Sequence, residues 1–306
     1  MSDRRGFALL VALWLLVALS AAGLGLATLS RTRRLAAANY AEGVRALATA
    51  QGGIELMRAR LADRLAKAVD GRDPWSGIDS LNDTLLLEQA NATTALHDVA
   101  SALNINRADE DQLRRFFTAL RVDAGVADRL AQAIADWRDA DDFRRPRGAE
   151  RDEYVKAGAE ALPRNGPFET VAELQQVQGM TPRLFDAMRP YLTVLGSGQI
   201  NINTAPRPVL LSLPGITEQT AGVLLRNRSR GRLLATIADL ERDLPPTARE
   251  ALRVQLPALM SLTTTETREV AVVSVGGLPG SPVTARVTAL LVRAREAVFY
   301  VWSRTE

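Results

Sequence analysis

The sequence predicts an α+β fold, in which a long apolar N-terminal helix packs on a C-terminal antiparallel sheet and a large all-α domain is inserted between them. Three observations predict it. Residues 7–29 carry no charge; the stretch from Val283 to Leu291 alternates in a strand-like way; and an Asn-Ile-Asn motif occurs twice between these regions, at Asn104-Ile105-Asn106 and Asn201-Ile202-Asn203.

The 23 residues from Phe7 to Leu29 would cover roughly 35 Å as a helix, enough for a hydrocarbon core of about 30 Å. The stretch is longer than the apolar region of about 7–15 residues in a secretory signal, and no clear small-x-small cleavage site stands out before the next charges. It is therefore read as a membrane-spanning helix. Arg4 and Arg5 precede it and Arg31, Arg33 and Arg34 follow it, so counting positive charges leaves its orientation open. Beyond the membrane, Ile54, Met57, Leu61 and Leu65 recur every three or four residues, which extends the helix to about Val69. Asp70-Gly71 and Asp73-Pro74 then end it.

Residues 109–258 read as helices broken at Gly179, Pro182, Pro206 and Pro214-Gly215. The segment Asn104-Ile105-Asn106-Arg107-Ala108 recurs as Asn201-Ile202-Asn203-Thr204-Ala205, and Thr170-Val171-Ala172-Glu173-Leu174 as Thr236-Ile237-Ala238-Asp239-Leu240. Short helices then end in Pro190-Tyr191-Leu192-Thr193 and Pro257-Ala258-Leu259-Met260. A duplicated helical unit follows, with an insertion in the first copy between Asp136 and Phe168. The Asn-Ile-Asn segments suit an extended turn leading into a helix cap. At the C-terminus, Glu269–Val275, Val283–Arg293 and Ala297–Arg304 read as a three-stranded meander, with Gly276-Gly277-Leu278-Pro279-Gly280 turning between the first two.

Composition narrows the function. The 306 residues are 47% hydrophobic and 24% charged, the mixture of a folded globular chain. Apart from Lys67 and Lys156 the bases are arginine, but the net charge of +3 is a weak signature for a nucleic-acid surface. With no cysteine, disulfides and thiolate chemistry are excluded, and His97, the single histidine, reads as a structural or surface residue. No G-x-S-x-G elbow is present.

The insertion is acidic. It reads Asp136-Trp137-Arg138-Asp139-Ala140-Asp141-Asp142, then Arg147-Gly148-Ala149-Glu150-Arg151-Asp152-Glu153-Tyr154. Such a loop suits a hard, oxygen-liganded cation such as calcium, although its spacing is not that of an EF-hand. It equally suits ion pairing with the interleaved Arg138, Arg144, Arg145, Arg147 and Arg151. A metal-dependent hydrolase built on the loop lacks a nucleophile or paired general base.

The run Arg4-Arg5-Gly6-Phe7-Ala8-Leu9-Leu10 resembles the leader of type IV pilins and pseudopilins, and the helix-plus-sheet plan is pilin-like. The resemblance implies cleavage after Gly6 by a prepilin peptidase, leaving Phe7 as the new N-terminus. Most members carry glutamate at the fifth mature position, where this chain has Val11. A carboxylate in the bilayer needs a partner, and a subunit without one suits the first position of a filament. Together with the paired Asn-Ile-Asn motifs, the acidic loop and the final strands, this departure resembles the general secretion pathway protein K family of type II secretion. That family is known to bind calcium in its helical domain, and the loop resemblance carries Asp139, Asp141, Asp142, Glu150 and Asp152 over as candidate ligands.

The resemblance implies a non-enzymatic minor pseudopilin at the pseudopilus tip, initiating or capping the filament that exports folded proteins. Its expected partners are other minor pseudopilins in a tip complex, the prepilin peptidase and the inner-membrane secretion platform. The chain would cross the bacterial inner membrane once, with its bulk in the periplasm. The domains expected are a leader (1–6), a transmembrane helix (7–29), a stem and first part of the pilin-like domain (30–108), the inserted helical domain (109–258) and the final strands (259–306). An alternative comes from Leu213-Pro214-Gly215-Ile216 after the second Asn-Ile-Asn, which resembles helix-hairpin-helix DNA-binding modules of competence proteins. Those modules need a glycine on each side of a small apolar residue, whereas this chain has Gly215-Ile216-Thr217 and Gly179-Met180-Thr181. Arg226, Arg228, Arg230 and Arg232 would then reach phosphates or form a solvated basic face; nucleic acid is not an expected partner.

Overall fold

The computed structural model describes residues 3–68, 73–87, 90–295 and 297–305. Its first element, α1 (Asp3–Ala66), is one unbroken helix of 64 residues, about 96 Å long. The expected stop at Asp70-Gly71 lies outside the described residues. The membrane half of α1 has no protein cover: Leu13, Trp14, Leu16, Leu19, Leu24 and Leu26 are all exposed. It is long and apolar enough to cross a membrane once.

The far half of α1 lies on a sheet of five strands, not three. β1 (Asp83–Leu87) and β2 (Ala90–Asp98) precede the helical region in sequence. They join β7 (Glu269–Gly277), β8 (Thr284–Ala294) and β9 (Ala297–Thr305) in the antiparallel order β1-β2-β7-β8-β9. β2 escapes the sequence pattern because it is rich in alanine and threonine, so its alternation shows in burial and not in hydrophobicity. His97 sits exposed on β2. Ala50, Ile54, Met57 and Leu61 of α1 bury their stripe against Leu96, Val270, Val272, Val287, Ala289 and Leu291. The approach is close at Gly276, where a Cβ would lie 2.2 Å from the Ala46 carbonyl oxygen. The loop after α1 clamps its end: Trp75 donates to the Leu61 carbonyl at 3.1 Å, and Arg293 pairs with Asp73 at 2.8 Å while lying over the Trp75 ring.

Between β2 and β7 lies the helical unit, with one continuous core running from Leu103 to Leu259. It contains β3 (Leu103–Asn104), α2 (Glu110–Ala119), α3 (Ala124–Arg138), α4 (Arg151–Lys156), α5 (Pro182–Met188), β4 (Leu192–Thr193), β5 (Ile200–Asn201), α6 (Arg207–Leu210), α7 (Glu218–Ser229), α8 (Pro246–Leu262) and β6 (Thr263–Thr264). Each Asn-Ile-Asn opens a copy, and the strand that closes the copy pairs parallel with it, Leu103 with Leu192 and Ile200 with Thr263. The unit is therefore bracketed at 103 and 264, beyond the expected 109 and 258. Thr193 also corresponds to Thr264, not to Met260, because α8 continues through Pro257 and is longer than its counterpart.

The duplicated asparagines explain the repeat. Asn106 clamps the backbone N–H and carbonyl of Phe168, and Asn203 clamps those of Leu234 in the same way. The guanidinium of Arg138 donates to the carbonyls of Ile105 and Ala108, and that of Arg228 to Ile202, Thr204 and Ala205. Both arginines thus satisfy the carbonyls of a tight turn that has no ladder of its own. The unit is tied to the sheet through Asp98. Its buried carboxylate accepts from Asn201 (2.8 Å), Thr204 (2.6 Å) and Thr267 (3.1 Å), and burial raises its pKa against the pull of those bonds.

Candidate functional site

The acidic insertion folds as a loop between α3 and α4, over an aromatic floor in which Trp137 stacks on Phe168 and meets the edge of Tyr154. The end of α3 brings Asp136 and Asp139 to this loop, and the N-cap of α4 brings Glu150. Asp136 is fully buried and held by Arg145 at 2.7 Å; Arg145 also binds Glu110 at 2.7 Å and reaches Asp139. Gly148 makes this possible, since a Cβ there would lie 1.9 Å from an Asp136 oxygen.

Of the five interleaved arginines, Arg145 is the one that joins the loop aspartates. Arg138 is turned onto backbone carbonyls, Arg147 onto Asp128 at 3.3 Å and Arg144 onto Glu153 at 3.8 Å. No salt bridge reaches Asp141 or Glu150 among the described residues. Asp139, Asp141 and Glu150 nevertheless each bring one carboxylate oxygen within 4.8 Å of the others. Both oxygens of Glu150 are buried without a hydrogen-bond partner, as is Oδ1 of Asp139. Burial, then the charges of Asp136, Asp139, Asp142 and Asp141, push the Glu150 carboxyl up to about 7. Three converging carboxylates, with one arginine already shared among neighbouring acids, leave a negative pocket that fits a divalent cation with oxygen ligands.

The other two candidate ligands stand apart from that triad. Asp142 accepts from the Asn165 side chain at 2.8 Å, and Asp152 is exposed in the first turn of α4. Asp136, absent from the candidate set, is the residue that fixes Arg145; its place at the buried end of α3 follows from packing that no spacing rule reports. Gly6, Phe7 and Val11 all lie within α1, with Phe7 exposed; Met1 and Ser2 and the side-chain placement of residues 3–6 and 8–11 lie outside the described residues.

Of the four arginines proposed to reach phosphates, Arg226 and Arg230 stand exposed, while the other two and the hairpin beside them are engaged by protein. Arg228 is committed to three carbonyls and Arg232 contacts Asp243 at 3.3 Å. The hairpin glycine, Gly215, is covered by α8, because a Cβ there would meet the Ala251 carbonyl oxygen at 2.8 Å. The close backbone approach that phosphate binding needs is taken up by protein.

Comparison with known proteins agrees with this geometry. Residues 86–197 match the family described as "Type II secretion system (T2SS), protein K". The putative type II secretion system protein K of Escherichia coli K12 is 29% identical over 265 residues, covering 78% of this chain and 79% of that protein. The type II secretion system protein K of Dickeya chrysanthemi is 36% identical over 93 residues, 30% of this chain and 25% of that one. Among solved structures, the GspK-GspI-GspJ complex of the enterotoxigenic Escherichia coli type 2 secretion system contains a chain that superposes with a TM-score of 0.66 at 20% identity. The superposition covers 90% of this chain and 99% of that chain, a likeness of fold.

Proposed function

Since the chain belongs to the type II secretion system protein K family, we propose that it is a minor pseudopilin acting at the tip of the pseudopilus, where it initiates or caps the filament that moves folded proteins across the outer membrane. The observation that carries this reading is the single rod α1. Its apolar half is bare and of membrane length, while its other half is fixed to a sheet that bears a large helical unit. An exposed apolar helix of this kind is stable only in lipid or against other apolar helices. Coaxial packing with helices of smaller pseudopilins would satisfy it outside the bilayer, and the helical unit above the sheet would oppose a further subunit. The complex that contains the structural neighbour holds two other secretion proteins, which supports other minor pseudopilins as partners. The roles of the prepilin peptidase, the inner-membrane platform and the periplasm belong to the same reading, as does the absence of catalysis.

The acidic pocket completes the proposal. Asp139, Asp141 and Glu150 would hold calcium, which would supply two positive charges to a buried carboxylate cluster and so order the loop between α3 and α4. Asp142 and Asp152 lie at its margin. The role is structural: a rigid loop on the bulky unit and no bond-making chemistry.

Mass spectrometry of the mature N-terminus tests the assignment most directly. Membranes containing prepilin peptidase should yield a chain that starts at Phe7, and a Gly6→Leu variant should stay unprocessed. Retention of residues 1–6 in both chains would remove the pseudopilin reading.

A further inference from the structure

Just past the apolar span, α1 carries three arginines within one turn, Arg31, Arg33 and Arg34, all exposed. No hydrogen bond or salt bridge to any of them is found among the described residues. The sequence contains no acid between Asp3 and Glu42, and the Glu42 carboxylate already accepts from Ser281 at 2.6 Å. Among the described residues, therefore, the chain supplies these three cations with no counter-charge.

Their height and spread identify its source. At about 1.5 Å per residue, Arg31 lies about 3 Å and Arg34 about 7.5 Å beyond Leu29. The headgroup layer on each side of a bilayer is about 5–7 Å deep. All three guanidinium groups, on long flexible stems, fall within reach of that layer. At about 100° per residue, Arg31 and Arg34 are about 60° apart and Arg34 and Arg33 about 100°, so together they sweep an arc of about 160°. A single neighbouring helix covers less of the circumference than that, and a second copy of this chain in register would set arginine against arginine. A plane of phosphates meets the whole arc. The other half of the helix at this level carries Thr28, Thr32, Leu35 and Ala36. The Thr28 and Thr32 hydroxyls donate to the Gly25 and Thr28 carbonyls at 2.9 and 3.0 Å, so this side offers no unpaired donor and stays free for helix packing.

We propose that Arg31, Arg33 and Arg34 form a binding site for the phosphate groups of anionic phospholipids, fixing the height of α1 in the membrane. The guanidinium fork pairs with phosphate oxygens two at a time, which an ammonium group does not do. The site depends on the membrane-spanning helix alone and stands whether or not the chain is a filament tip.

The test uses the full chain in phosphatidylcholine vesicles, with Arg4 and Arg5 changed to Gln in every sample so that one end of the span is read. Trace spin-labelled phosphatidylglycerol or phosphatidylcholine reports, by electron spin resonance, how strongly each lipid is held at the protein surface. At about 1 kcal/mol per arginine, each site should favour phosphatidylglycerol about fivefold. The R31Q/R33Q/R34Q variant should show a ratio near 1. Restoring three arginines at Ala38, Tyr40 and Ala41 in that variant repeats the pattern about 10 Å higher, beyond a Debye length of about 8 Å, and should leave the ratio near 1. Millimolar inorganic phosphate should not reduce the selectivity. An unselective starting protein, selectivity that survives the Gln changes or returns in the relocated variant, or displacement by free phosphate each overturns the proposal. The thermal unfolding of the folded remainder should be unchanged throughout, because these arginines make none of its described contacts.

Discussion

Replacing Glu150 with Gln gives the acidic pocket its sharpest test. Glu150 is 4% exposed, neither carboxylate oxygen has a partner, and its carboxyl is displaced from 4.5 to about 7. The displacement corresponds to about 3 kcal/mol of unfavourable charge burial at pH 8 in metal-free protein. The direction follows from proton binding: between pH 4.5 and 7 the folded chain holds a proton that the unfolded chain has released. The penalty is absent below about pH 4.5, grows as pH rises, and is complete above about 7. Gln keeps the shape and removes the charge. In EDTA at pH 8, E150Q should therefore unfold at a higher temperature than the unaltered chain, by roughly 6–12 °C for a gain of about 3 kcal/mol in a unit of this size. At pH 4.5 the two should coincide. Calcium at a hundred times its dissociation constant should add about 2.7 kcal/mol to the unaltered chain and little to E150Q. Scanning calorimetry with EDTA or calcium at the two pH values reads all four numbers. If E150Q is less stable than the parent in EDTA at pH 8, or keeps the full calcium response, the pocket is not a charged cation site.

Two further changes probe the packing beneath the site. Gly276→Ala should cost about 1–3 kcal/mol, since its methyl group would displace α1 from β7 at Ala46, and urea unfolding followed by the near-ultraviolet signal of Trp75 measures it. Arg228→Lys should cost about 1–3 kcal/mol despite keeping the charge, because one ammonium group cannot serve the three carbonyls of Ile202, Thr204 and Ala205; a stability equal to the parent by urea unfolding would contradict this role.

The long helix and the last three strands are legible in the sequence because each follows one period over many residues. The apolar run, the stripe from Ile54 to Leu65 and the alternation from Val283 onwards all have this property. The duplicated unit is legible because the side chain of Asn106 or Asn203 must reach both ends of a backbone gap, which no other residue type of that length does as well. What escapes is set by burial and tertiary pairing. In β2 the buried face reads Ala92, Thr94, Leu96 and Asp98 and the other Asn91, Thr93, Ala95 and His97, so alanine and threonine fall on both faces and hydropathy hides the alternation. Asp98 gives no local sign that it will tie the sheet to the helical unit. In the acidic loop, sequence alone leaves metal binding and ion pairing equally open, because both need the same residues. The structure separates them by where the arginines point: Arg138 and Arg147 turn away, leaving Glu150 without a counter-charge.

The proposed capping role depends on bulk above the sheet and on the missing carboxylate at Val11, and the strand register shows how to separate the two. Asp98 and Val270 are antiparallel partners at the ends of β2 and β7, so the whole helical unit leaves and re-enters the sheet at one pair. Excising residues 99–269 and closing the gap with Asn-Gly, a two-residue turn suited to antiparallel strands, should give a β2–β7 hairpin. The excised segment contains the whole unit bracketed at 103 and 264; a cut at 109–258 would leave β3 and the end of α8 unpaired. The trimmed chain keeps the core formed by Ile54, Met57, Leu61, Leu96, Val272 and Leu291, and should still unfold cooperatively. Adding Val11→Glu places a carboxylate in the lipid span at a cost of up to about 3 kcal/mol unless a neighbouring amine meets it. Trimming alone should remove the steric block while leaving the tip position favoured. Trimming together with Val11→Glu should let the chain enter the body of the filament and lower the rate at which new filaments start, measured by pseudopilus counts and by export of a folded cargo. If filament initiation and export stay at the parental level in the doubly altered chain, although it folds and reaches the membrane, neither bulk nor the missing acid makes this subunit a cap.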